Sequence, residues 1–104
     1  MSPRKEIKMY THVSPAQYEK LKQFGKDKGI ATIARCIMFL IYNYHPTEVI
    51  EDYSFNRQDC KVIGLTLSES EKQKINELMG KYGITKGSTF IRSWVYTFFL
   101  QSGQ

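Results

Sequence analysis

The sequence predicts a mainly α-helical fold that carries a two-stranded antiparallel β-ribbon, in the order β-α-α-β-α-α. Three observations lead there. The chain repeats itself: residues 7–44 lie over residues 61–98 without a gap, at a constant offset of 54 that puts Ser14 on Ser68 and Gly29-Ile30 on Gly83-Ile84. Each half opens on a short run in which apolar and polar residues alternate, the period of a half-buried strand. Each half closes on a helical stretch that is apolar on nearly every side, the mark of a helix enclosed by others.

The first strand is expected over 8–13, with Met9, Thr11 and Val13 turned to the core and Lys8, Tyr10 and His12 turned outward. Ser14 then reads as an N-cap, Pro15 suits the first helical position, and Gln17 stands where a capping box needs it. Tyr18, Leu21 and Phe24 recur at helical spacing until Gly29, which supplies the positive φ that ends such a helix. The second helix is "TIARCIMFLIYNY", with Thr32 as its N-cap and Pro46 as its stop. Residues 45–60 show no period and read as a linker with room for one short helical turn. Extended, these sixteen residues span about 50 Å, enough to cross a domain of this size.

The second half repeats the plan. Its strand, 62–67, turns Ile63, Leu65 and Leu67 inward and Val62, Gly64 and Thr66 outward. Ser68 and Glu71 form the capping-box pattern, Ile75, Leu78, Met79 and Tyr82 the apolar stripe, and Gly83 the stop. In the last helix, "GSTFIRSWVYTFFL", Thr85, Gly87 and Ser88 are each candidates for the N-cap. A lone strand leaves its backbone groups unpaired, so the strand of one half is expected to pair with that of the other. The organisation is then a basic arm (1–6), a first repeat (7–44), the linker (45–60) and a second repeat (61–101), with the repeats sharing one core.

Composition narrows the function. With 104 residues, 41% hydrophobic and 24% charged, the chain suits one folded domain and is too apolar for a disordered one. A net charge of +5 points to polyanionic partners. Cys36 sits in an apolar run and Cys60 in a polar one, without C-x-x-C spacing, so a buried thiol and a loop thiol are expected rather than a disulfide or zinc site. No apolar h-region follows "MSPRKEIK" and no run has the length of a membrane span, so the expected location is the cytoplasm of a prokaryotic cell, on nucleoid or plasmid. His12 and His45 are isolated, and no G-x-S-x-G, phosphate-binding glycine loop or HExxH occurs. Neither an enzyme, nor a metal, nor a cofactor is expected.

Strand, short turn, helix, glycine turn and buried helix within about forty-five residues resemble the ribbon-helix-helix superfamily of Arc-, MetJ- and CopG-like regulators. The second half carries the resemblance best, in "IGLTLSESEKQKINELMGKYGITKGSTFIRSWV". Two units in one chain resemble the TraY-type arrangement, which implies an intramolecular pseudo-dimer. The sequence departs from the family where "IA" and "IT" or "ITK" follow the glycines, one turn residue more than usual.

This resemblance implies that the ribbon enters the major groove of double-stranded DNA. Lys8, Tyr10, His12, Val62, Gly64 and Thr66 would then face the bases. Lys8 suits guanine O6 and N7, Val62 a thymine methyl and Thr66 a hydrogen bond, whereas Gly64 offers only close approach. A solvent-facing ribbon that merely keeps the protein soluble is the bland alternative. The resemblance also implies phosphate contacts from the second-helix N-termini, Thr32-Ile33-Ala34 and Lys86-Gly87-Ser88, where simple capping is compatible. Arg4 and Lys5 could steer the arm along the backbone. The aromatic residues of the second helices, Phe39, Tyr42, Tyr44, Phe90, Trp94, Tyr96, Phe98 and Phe99, are expected in the core rather than as a stacking platform. The expected function is a sequence-specific DNA-binding transcriptional repressor, with self-association along DNA open. A plasmid-transfer (relaxosome) or architectural accessory is the alternative. An antitoxin role is disfavoured, since no toxin-wrapping segment is expected after "QSGQ".

Overall fold

A seven-residue strand exposes a row of backbone donors and acceptors that only another strand can satisfy fully. In the computed structural model, which describes residues 6–52 and 57–102, β1 (Ile7–Val13) finds that partner in β2 (Lys61–Leu67). The two run antiparallel in an unbroken register from Ile7 opposite Leu67 to Val13 opposite Lys61, centred on Tyr10 opposite Gly64. Each strand begins one residue earlier than its apolar alternation predicts. The strands are followed by α1 (Pro15–Lys28) and α2 (Ile33–Asn43), and by α3 (Glu69–Tyr82) and α4 (Gly87–Gln101), so the order is β-α-α-β-α-α.

The helix boundaries follow the predicted chemistry, with two corrections. Ser14 Oγ accepts from Gln17 N and Ser68 Oγ from Glu71 N, each at 3.2 Å, and Gly29 and Gly83 end their helices at φ of 72° and 71°. Only the second capping box closes, through Ser68 N donating to Glu71 Oε1 at 2.8 Å. In the first half Gln17 is buried instead, with Oε1 unpartnered, so its amide does not return to Ser14. The second correction concerns α4. None of Thr85, Gly87 or Ser88 is its N-cap; Lys86 is, and an ammonium has no oxygen with which to accept. Lys86 stands 54 positions after Thr32, whose Oγ1 does cap α2 by accepting from Arg35 N at 3.2 Å.

The helices and the inner ribbon face enclose one core. Val13, Leu21, Ile37, Ile41, Leu65, Leu67, Ile75, Phe90, Trp94 and Phe99 are all buried within it. The halves cross over: β1 lies against α4 and β2 against α2. Where α2 meets α4, the Trp94 indole Nε1 donates to the Leu40 carbonyl at 3.0 Å. The aromatic expectation holds for Phe90, Trp94 and Phe99, while Tyr44, Tyr96 and Phe98 are partly exposed. It fails for Phe39 and Tyr42, exposed at 39% and 43%. Together with Arg35 they form a solvent stripe on α2, because the neighbouring elements cover only its other side.

The linker is attached to the fold. Thr97 Oγ1 accepts from Ile50 N at 2.8 Å and donates to Ile50 O at 3.2 Å, and Ser93 Oγ accepts from Asp52 N at 3.2 Å. Tyr82 donates its hydroxyl to the Pro46 carbonyl at 2.5 Å. The expected short turn is a single 3-10 turn, Arg57–Asp59, just before β2.

Candidate nucleic-acid interface

Alternation along a strand sends successive side chains to opposite faces, and antiparallel pairing puts facing residues on the same side. The register therefore collects Lys8 and Thr66, Tyr10 and Gly64, and His12 and Val62 on the outer face of the ribbon, the six positions expected there from the alternation of the two strands. His12 is half-buried and the other five are exposed, with Tyr10 at 56% and Val62 at 60%. The opposite face carries Thr11, Val13, Ile63, Leu65 and Leu67, all buried, and Met9, partly covered.

Gly64 marks neither a bulge nor a break, since the register continues through it. What it provides is room for its neighbour. A Cβ at position 64 would lie 3.4 Å from Tyr10 Cε1 and 3.6 Å from Cδ1, so the tyrosine ring reaches across the strand gap and rests over the glycine.

The N-terminus of α4 is fastened beneath β1. The Thr11 hydroxyl donates to the Ser88 carbonyl at 2.8 Å, and one helical turn on, Arg92 Nη1 donates to the His12 carbonyl at 3.3 Å. Sequence reasoning missed Arg92 as a holder of the ribbon; its signal was the four-residue spacing from Ser88, which puts both on one face of α4. The open side of Gly87 faces Met9, whose methyl would stand 2.5 Å from a Cβ there, so the missing side chain makes room for β1 on the inside of the protein. Lys86 is exposed at this helix start, with no side-chain cap over the first amides. At α2, Thr32 already occupies the Arg35 amide, while Ile33 and Ala34 are half-buried against the core. The two helix starts thus differ: α4 offers uncapped amides beside an ammonium, and α2 offers a capped turn.

Arg4 and Lys5 lie outside the described residues. Among the described residues no group of three or more His, Cys, Asp or Glu is placed to hold a metal, and no helix is long and apolar enough to cross a membrane. Cys36 is buried, and burial pushes its thiol above the usual range. Comparison with family models, with curated proteins and with solved structures finds no match to this chain.

Proposed function

We propose that the chain is a sequence-specific double-stranded DNA-binding protein, most simply a transcriptional repressor that inserts its β-ribbon in the major groove as a single-chain ribbon-helix-helix pseudo-dimer. The observation that carries this reading is the ribbon's outer face. Lys8, Tyr10, His12 and Thr66 supply hydrogen-bonding groups and Val62 an exposed apolar one, all on one surface. An antiparallel ribbon of this width fits the major groove, where the pattern of donors, acceptors and methyl groups distinguishes all four base pairs.

Two further observations support the pseudo-dimer. Tyr10 and Gly64, which pair at the ribbon centre, are equivalent in the repeat. So are Leu40 and Trp94, which meet where α2 crosses α4. Both meetings are of the kind that a local two-fold axis between two subunits produces. Lys86 and the uncapped α4 amides beside β1 suit a phosphate flanking the groove.

The test is selection of bound duplexes from a random pool, followed by titration of the selected duplex, a scrambled duplex and a single strand at several salt concentrations. A repressor-like reader prefers the selected duplex by roughly a thousandfold or more over scrambled DNA, with affinity falling steeply as salt rises. Equal affinity for all duplexes, or tighter binding to the single strand, overturns the reading.

A further inference from the structure

A ribbon made of two identical strands has identical ends and an identical pair at its centre, so it reads a palindrome. In this ribbon every outward pair is unlike: Lys8 faces Thr66, Tyr10 faces Gly64 and His12 faces Val62. Half a turn about the centre would exchange Lys8 with Val62, Tyr10 with Gly64 and His12 with Thr66, and no exchange conserves the chemistry. One end thus presents an ammonium beside a hydroxyl. The other presents an imidazole beside an isopropyl group.

The centre is as unequal as the ends. The Tyr10 ring rests over Gly64, where an added Cβ would come within 3.4 Å of it. A second aromatic ring at position 64 would compete for the same space, so the missing side chain lets one phenol occupy the middle of the face.

Resting on the DNA-binding reading above, we infer that a single chain binds a non-palindromic duplex site in one orientation, with guanine favoured under the Lys8 end and thymine under the Val62 end. The ammonium of Lys8 donates to guanine O6 and N7, acceptors that the other bases do not offer together. Val62 has only an apolar surface to offer, which matches the thymine methyl. Lys8 and His12 are four residues apart, about 13 Å of strand. At ~3.4 Å per base step, the two preferences fall about four base pairs apart. Tyr10 lies between them and its hydroxyl can both donate and accept, so it adds a contact near the centre without a partner from β2.

The fold supplies its own reporter of orientation. Cys60 immediately precedes Lys61, which pairs with Val13 at the Val62 end, and is a partly exposed residue, whereas Cys36 is 1% exposed. An iron–EDTA cleavage reagent attached to Cys60 of the full chain, bound one chain per selected duplex, should cut on one flank only, the thymine side. Exchanging the two residues in a Lys8→Val, Val62→Lys variant should move the guanine preference to the other end. Preference between the selected site and its inverted-end counterpart should then reverse, by about tenfold or more in each direction. Both positions are exposed on the outer face, so the exchange leaves the core unchanged. Equal cutting on both flanks, or a palindromic minimal site for one chain, overturns the inference while leaving DNA binding intact. Failure of the wild-type chain to bind any duplex overturns both.

Discussion

Glycine positions show how differently one residue type is used in this chain. Gly25 of α1 packs closely against α2 and the turn before it, for a Cβ there would meet Cys36 Sγ at 2.9 Å and the Ile30 carbonyl oxygen at 3.0 Å. Gly80, inside α3, has nothing within 4 Å of the same position. Gly25→Ala should therefore destabilise the protein by about 1–3 kcal/mol through overpacking against the Cys36 thiol and the Ile30 carbonyl. Gly80→Ala should stabilise it by roughly 0.5–1 kcal/mol, because the helix no longer has to restrain a glycine. Denaturant melts of the two variants check the pair, and equal shifts would contradict the packing. Cys36 gives a prediction in pH. Burial raises its thiol above the ordinary value of 9.0, so the folded state keeps the proton while the unfolded chain loses it. The stability this contributes is intact below 9.0 and is lost as pH rises beyond it. A Cys36→Ala variant should show a shallower alkaline decline in unfolding free energy than the wild type, whatever its stability at neutral pH.

Among the elements of the described residues, the four α-helices differ most at their starts. α1, α2 and α3 each begin on a Ser or Thr whose hydroxyl takes up a backbone amide, and α4 begins on Lys86, which cannot. A terminus with uncapped amides and an adjacent ammonium suits a phosphate group better than one already occupied by its own cap. Lys86→Ala should accordingly weaken binding to every duplex by a similar factor and lower the slope of log affinity against log salt by roughly one. Anisotropy titrations on selected and scrambled duplexes measure both quantities. A loss confined to the selected sequence would make Lys86 a reader of bases instead. The same helix holds β1 through Ser88 and Arg92 and the linker through Ser93 and Thr97, so α4 organises elements from both halves.

For the whole molecule, the pairing of β1 with β2 inside one chain has a consequence for size. Both strands, the helices beneath them and the linker that joins the halves belong to the same polypeptide, and the linker is held to α4 at Ile50 and Asp52. If the chain is the pseudo-dimer proposed above, folding needs no second copy. In dilute solution the smallest folded species should have the mass of one chain, 12.1 kDa, and the melting temperature should not depend on protein concentration. Sedimentation and melts over a hundredfold range of concentration test this. A smallest folded species of twice that mass would mean that the halves exchange between chains. Association on DNA would not bear on it.

Much of the architecture was legible in the sequence because it rests on local rules. Alternation marked the strands, Ser14, Thr32 and Ser68 marked helix starts, and Gly29 and Gly83 marked helix ends, each for a reason confined to a few neighbouring residues. The 54-residue repeat then paired the strands and sorted Lys8, Tyr10 and His12 from Met9, Thr11 and Val13. Other features needed the tertiary structure. That Gln17 turns inward, that Phe39 and Tyr42 remain in solvent, and that Gly87 makes room for Met9 all depend on what stands opposite, which no local pattern contains. The same holds for Tyr10 over Gly64 and for the carbonyls that Thr11 and Arg92 hold. Short-range sterics and hydrogen bonding determine where elements begin, end and point, and these are written in the chain. Which side chain fills which gap is decided only when two distant segments meet, because close packing is a property of the pair.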